Sequence, residues 1–544
     1  MLNKLSQIIL KYPISVMTII LIVTAYFFHN AFLSEQRLKV DFSLEQMFPE
    51  SDPEKDAYQL FIDEFNREDD KILLVYDCDN PTSRENIATI AELTEEMELD
   101  IDGVEAVISL SSIGDGDYFS EDLSDDEWDL QVQNLLNHPI YPNLIISSDG
   151  QTGSVLIDLE DNVIGQDARM RVVNQLEAVT NKVGWEWHEA GIPVLRTRYI
   201  QFMNKERAIF LPISFIVSMS VLLFIFRQVK SILIPFVAIS TTLVWVAGIM
   251  AYFNISINVV SYLTFNLLMI IGASNAIHLL MKYHEGLSLG LNKRDSLDRV
   301  IQKIGGALFL TSFTTAVGFC SLGFTNIKVT QQFGLLVGFG VILMFILTII
   351  IMPIILNYIR PPDNDHIDRL IRGGQFLAAD RLNSWNQKHP RSILTISGIL
   401  FIGALIGLFK IDYNASVLED LKPGNPLYDD LQYVERKMGG TLPLEVIIDT
   451  KRENGSLHPE FLSIIQSFKK EILKTSEINT AVTPGDYLML ANEEWGDGER
   501  RLPETELDAL SFTVEFDRVQ ALLNDDYSKT RISCRISDLP FDRG

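Results

Sequence analysis

The residues best placed to do chemistry sit in the fourth of seven long apolar stretches. IIGASNAIHLLMKYHE (Ile270–Glu285) sets Ser274, Asn275 and His278 within two turns of a helix. Ser274 and Asn275 do not titrate in the physiological range. His278 is the ionisable candidate, one turn from Lys282 and within reach of a membrane interface. The competing reading is a structural imidazole whose ring is satisfied. Asn266 in this stretch and Thr311, Thr314 and Thr315 in the next supply neutral oxygens. These suit hydrogen bonds between packed helices, with a sodium site as the second reading. No stretch has a central carboxylate or ammonium. Such a group in a bilayer is costly and usually functional.

Other chemistry is thin. The run GDGDYFSEDLSDDEWD (Gly114–Asp129) invites a calcium reading. Asp115, Asp117 and Glu121 miss the loop positions, with no Gly at the sixth and no Glu at the twelfth. A solvated acidic face fits better. Cys78, Cys320 and Cys534 make neither a metal cluster nor a disulfide framework. No nucleophile, metal or phosphate motif emerges. The reading is therefore not an enzyme, with no metal and no cofactor.

The elements that must position these residues follow from charge and hydropathy. The 544 residues carry −27, and residues 34–206 alone hold 39 acids against 12 bases. The remainder is neutral. Polyanions repel such a surface, so nucleic acid is excluded as a partner. The apolar stretches exclude a soluble enzyme and a disordered chain. They run over about Pro13–Phe32, 208–226, 232–252, 259–281, 305–324, 333–356 and 392–409. Each is about long enough to span a bilayer. Basic residues cluster in alternate loops: Arg227 and Lys230; Lys282, Lys293, Arg294, Arg299 and Lys303; Arg360 to Arg391. This predicts a cytoplasmic N-terminus, with 34–206 and 410–544 on the other side. Leu297, Val300, Ile301 and Ile304 predict a helix that either lies in the inner interface or simply connects.

The chain also repeats itself. KYPISVMTII near Lys11 resembles KHPRSILTIS near Lys388. VDFSLEQMFPESDP, ending at Pro53, is matched by NASVLEDLKPGNP, ending at Pro426. Ile72–Val75 and Glu445–Ile448 follow at an offset of 373. One unit is thus a span, an outer domain and five spans, and the second is expected to be incomplete. In the first outer domain, strands at 72–76, 104–110, 153–159 and 184–189 and helices at 82–99 and 166–182 predict two β-α-β units of a split ferredoxin-like fold.

These residues resemble the resistance-nodulation-division (RND) superfamily. Ile270–Glu285 is similar to its G-x-x-x-D-[YD]-x-I-H pattern, and LTSFTTAVGFCSLGF (Leu310–Phe324) to its T-S-x-T-T-x-x-G-F-x-x-L motif, which includes Thr314, Thr315, Gly318 and Phe319. The resemblance points to the hydrophobe-exporter branch with the mycobacterial large membrane proteins, with sterol-sensing proteins as distant relatives. It implies an α-helical polytopic membrane protein with α+β extracytoplasmic domains. The expected parts are a first transmembrane helix (1–33), a porter-like domain (34–206), helices 2–6 (207–357), a cytoplasmic linker (358–391), helix 7 (392–409) and an incomplete second porter-like domain (410–544). One departure stands out: where the family carries a proton-bearing Asp, this chain has Ser274. Gly334 and Gly338 form a small-xxx-small pair in the sixth span, and Gly305, Gly306 and Gly318 suggest close approach in the fifth.

The function implied is an inner-membrane permease exporting lipids or other hydrophobic molecules on an ion gradient. The alternative is a transport-inactive lipid sensor or scaffold, which the Ser274-Asn275 pair favours. Expected partners are the hydrophobic cargo and the membrane, with a periplasmic accessory protein and a homo-oligomer left open.

Overall fold

The computed structural model describes residues 2–536 apart from 35–36, 41–48, 50–52, 66–69, 117, 121, 161, 164, 259, 364, 368–369, 371–373, 411–423, 476–477 and 497. It divides into a helical unit (1–52 and 201–411) and a sheet unit (53–200 and 412–544).

Among the described residues, seven helices are long and apolar enough to cross a membrane: Pro13–Leu33, Ile192–Phe226, Lys230–Tyr252, Leu263–Ser288, Lys293–Phe324, Lys328–Tyr358 and Pro390–Leu408. The sixth is the hub, buried along most of its length. Its approach to the fifth span depends on missing side chains. A Cβ on Gly334 would lie 2.4 Å from the Phe319 carbonyl oxygen, and one on Gly338 would lie 2.4 Å from Cys320 Sγ. Gly340 admits Leu268 of the fourth span in the same way. The third span meets the first through Gly248 against Phe27 and through Trp245 Nε1, which donates to Thr24 Oγ1 at 2.9 Å. The expected close approach at Gly306 and Gly318 is not found, because both face open space.

Two boundaries differ from the sequence reading. The second span starts at Ile192, not 208, as one helix of 35 residues and roughly 52 Å. Arg196, Arg198, Lys205 and Glu206 depress its early hydropathy, so its polar first half does not read as part of a span. The segment after the fourth span forms a short helix, Lys293–Arg299, capped by Asn292. Leu297, Val300 and Ile301 are buried in the bundle, so it is a packed connector rather than a surface helix.

In the sheet unit, β1 (Lys71–Asp77), β2 (Val104–Ile108), β3 (Thr152–Leu159) and β4 (Glu186–Ala190) form a sheet of order β2-β3-β1-β4 with antiparallel neighbours. Two β-α-β units interleave to give this order. Alternation along β1 explains its two faces. Ile72, Leu74 and Tyr76 pack with Ile90, Met97, Val172 and Leu176 of the helices Arg84–Leu99 and Gln166–Thr180. Leu73 and Val75 face the other way. The acidic insertion is not wholly solvated. Trp128 is buried and its Nε1 donates to the Thr82 carbonyl oxygen at 2.9 Å, beneath the Arg84 guanidinium. Asp117 and Glu121 lie outside the described residues.

β5 (Leu442–Asp449), β6 (Ile478–Val482) and β7 (Lys529–Ile536) form a second antiparallel sheet of order β5-β7-β6. The Pro459–Ile472 helix covers one face through Ile465. The two domains also trade helices. Leu427, Leu431, Val434 and Met438 of the Pro426–Met438 helix cover Leu73, Val75, Leu156 and Ala190 on the first sheet. Each such side chain contributes roughly 1.5–3 kcal/mol when fully buried. Polar contacts fix the seating: His188 Nδ1 with Asp430 at 2.8 Å, the Tyr433 hydroxyl donating to Asp77 at 2.8 Å, and Lys437 with Asp149 at 3.1 Å. In return, the Pro53–Phe65 helix places Phe61 and Phe65 under the Arg531 guanidinium of β7, and Glu64 pairs with Lys529.

Candidate functional site

The fourth span separates the three candidates of the sequence. Ser274 and His278, one turn apart, share an exposed face. Among the described residues neither side chain has a hydrogen-bond partner. Asn275 points the other way and is 6% exposed, with its Nδ2 unpartnered. One turn earlier, Gly272 lies against Ile239 and Met344, so Asn275 belongs to the packed core of the bundle. Three residues that are neighbours in sequence therefore do not converge on one point.

Among the described residues, Thr311 and Thr314 of the fifth span bond within their own helix rather than to its neighbours. Thr311 donates to the Leu308 carbonyl oxygen and Thr314 to that of Thr311, both at 3.0 Å and within the same helix. Ser312, which the sequence reading passed over, is buried with an unpartnered hydroxyl. Of the motif residues, Phe319 packs edge-on against Phe333, and Gly334 and Gly338 receive the backbone of the fifth span. A further histidine was also missed. His284 is 2% exposed, with Nδ1 2.7 Å from the Leu280 carbonyl oxygen and its ring on Phe226. Its place six residues after His278 put it on the opposite face, and that spacing was the available signal.

A second candidate lies between the two sheets of the sheet unit. It is a cavity of about 250 Å³. Leu73, Leu156 and Ala190 of the first sheet form an apolar wall, and Glu445, Arg531 and Ser533 of the second form a polar one. Lys71 pairs with Asp158 at 2.9 Å and Arg531 lies 4.0 Å from Glu445. Burial pushes the Tyr487 phenol up to about 12 and raises that of Tyr141, while Arg518 opposes both shifts. Burial also pushes the Cys534 thiol up to about 11, which keeps it protonated. No motif marks this site in the sequence, because its walls come from segments about 370 residues apart.

The geometry is that of a helical bundle joined in sequence to interlocked α+β domains. A family model for the MMPL family matches residues 46–369, more than half of the chain. The chain belongs to the MMPL family. The match begins before the first sheet and ends beyond the sixth span. This MMPL protein is also 21% identical over 378 residues to a Methanocaldococcus jannaschii protein named as a candidate membrane protein. That alignment covers 65% of this chain and 92% of the relative. MMPL proteins are membrane transporters of the RND type rather than enzymes, and this chain is a multi-pass member.

Proposed function

We propose that this MMPL protein is the permease of an inner-membrane exporter of lipids or other hydrophobic molecules, driven by an ion gradient. The cavity between the two sheets carries the reading. Apolar strand residues rarely line an opening unless something apolar enters it, and pockets at domain junctions are the usual ligand sites. The sequence likeness between the openings of the two outer domains supports it, since paired outer domains can change the gap between them when the spans move. In this reading the N-terminus is cytoplasmic and the sheet domains lie outside, an orientation that the clustering of basic residues in alternate loops supports. His278 is not the proton carrier in this reading. It has no carboxylate partner among the described residues and lies on an exposed face.

The test is export of a fluorescent hydrophobic probe from proteoliposomes with an imposed ion gradient. Ile108 lines the cavity and is half-buried. Ile108→Trp fills the space and should abolish gradient-dependent export while the protein remains folded. A wild-type protein that exports no hydrophobic probe under any gradient refutes the reading. Cysteines placed at the exposed positions Asn162 and Ser463 should both react with an impermeant maleimide on intact cells. Protection of either overturns the orientation.

A further inference from the structure

The cavity between the sheets has two unlike walls, and their charge is at odds with the rest of the chain. Its first wall is built from outward-facing residues of β1, β3 and β4, and its second from residues of β5 and β7 with Arg518 beside them. We propose that this cavity binds an amphiphile with an anionic headgroup, a phosphate or a carboxylate, seated at Arg518 with its chain along Leu73 and Leu156. The inference rests on the exporter reading and narrows its cargo class.

Charge is the first argument. The charged residues lining the cavity are Lys71, Arg518, Arg531 and Arg535 against Asp158 and Glu445. The lining is thus net positive in a chain of −27 whose acids concentrate in the first sheet domain. Composition alone would give a negative lining. A concave site of one sign concentrates ligands of the opposite sign.

Arg518 is the second argument. Lys71 and Arg531 face the carboxylates of the lining, Asp158 and Glu445. Arg518 has no carboxylate or hydrogen-bond partner among the described residues, although it is half-buried. Its planar fork suits two oxygens of a phosphate or carboxylate. The Tyr141 and Tyr487 side chains line the same space, and each phenol retains its proton to donate. Size points the same way. At about 250 Å³ the cavity holds a headgroup and the start of a chain, and falls just short of the usual range for whole ligands, roughly 300–1,000 Å³. An amphiphile that leaves most of its chain outside fits this space, and a fully enclosed lipid does not.

Native mass spectrometry of the whole chain in maltoside micelles tests this with dodecyl phosphate, dodecylphosphocholine, dodecanol and inorganic phosphate. Dodecyl phosphate should bind about tenfold or more tighter than dodecylphosphocholine, the scale of a charge-assisted hydrogen bond. Arg518→Gln should remove that preference and leave dodecanol binding unchanged, while Arg518→Lys should keep part of it. Retained dodecanol binding shows that the glutamine variant is folded. Equal affinity for all three chains in the wild type, or a preference that survives Arg518→Gln, overturns the proposal and leaves the cavity as an apolar cargo site. Inorganic phosphate binding as tightly as dodecyl phosphate also overturns it, since the chain would then contribute nothing. Failure of every alkyl chain to bind, with Ile108→Trp making no difference, instead removes the exporter reading itself.

Discussion

His138 offers a direct test of how the wall beside the cavity is held. Its ring is 8% exposed, stacks on Tyr141 at 4.0 Å, and accepts the Ile140 backbone N–H on Nδ1 at 3.3 Å. Burial, aided by Arg500 and opposed by Asp486, lowers its pKa from 6.5 to about 4. The folded protein therefore keeps His138 neutral where the unfolded chain would protonate it. A depressed histidine contributes stability that is complete above about pH 6.5 and is lost as the pH falls towards 4. Between pH 7.5 and pH 5 the unfolded state gains about 2 kcal/mol from this proton and the folded state almost nothing. Urea unfolding of the whole chain, followed by tryptophan fluorescence, reads this change. Trp128, Trp185, Trp187 and Trp495 all lie in the sheet unit. His138→Asn keeps an acceptor for the Ile140 N–H and does not titrate. The variant should be less stable at pH 7.5 through loss of the ring stack, but its loss on going to pH 5 should be smaller by about 2 kcal/mol. An identical pH dependence in the two proteins would show that the ring is solvated in the folded state and that the wall is not packed as described.

Three further outcomes follow from the packing. Gly338→Leu should separate the fifth and sixth spans and lower the yield of folded protein in size-exclusion chromatography, whereas Gly318→Leu, which points into open space, should be neutral. Phe65→Ala should cost about 3 kcal/mol of sheet-unit stability in urea unfolding, as for other buried aromatic truncations, because the ring is 4% exposed beneath Arg531. His278→Gln should leave gradient-driven export within about twofold of wild type, a change of well under 1 kcal/mol in barrier, and its abolition with normal folding would make His278 the proton carrier.

The sequence made local structure legible and long-range partnership illegible. Alternation in Ile72–Val75 and the helical spacing of Ile87, Ile90, Leu93 and Met97 suffice to predict the first strand and helix of the sheet unit, because each element must present one face to a core. Apolar length marks the spans for a similar reason. The second span shows the limit: Arg198 reads as a loop residue, yet in the structure it bonds Glu189 twice at 2.8–2.9 Å and Glu177 at 2.8 Å, and so anchors the start of one long helix. At the candidate sites, Gly334 and Gly338 announced their packing because absent side chains have a single steric meaning there. Ser274, Asn275 and His278 did not reveal that Asn275 points away from the other two, since their common motif obscured the helical phase. The cavity could not be read at all, because its walls meet only once both sheets exist.

The exchanged helices also impose an order on biosynthesis. The first sheet is complete in sequence at Ala190, but the helix that covers Leu73, Val75 and Leu156 begins at Pro426, about 236 residues later. At the usual 5–20 residues per second, that face stays uncovered for about 12–50 s while six membrane helices emerge. Throughout that interval the nascent chain presents an apolar surface with no intramolecular partner, the place where a chaperone engages it or where two chains can exchange their Pro426–Met438 helices.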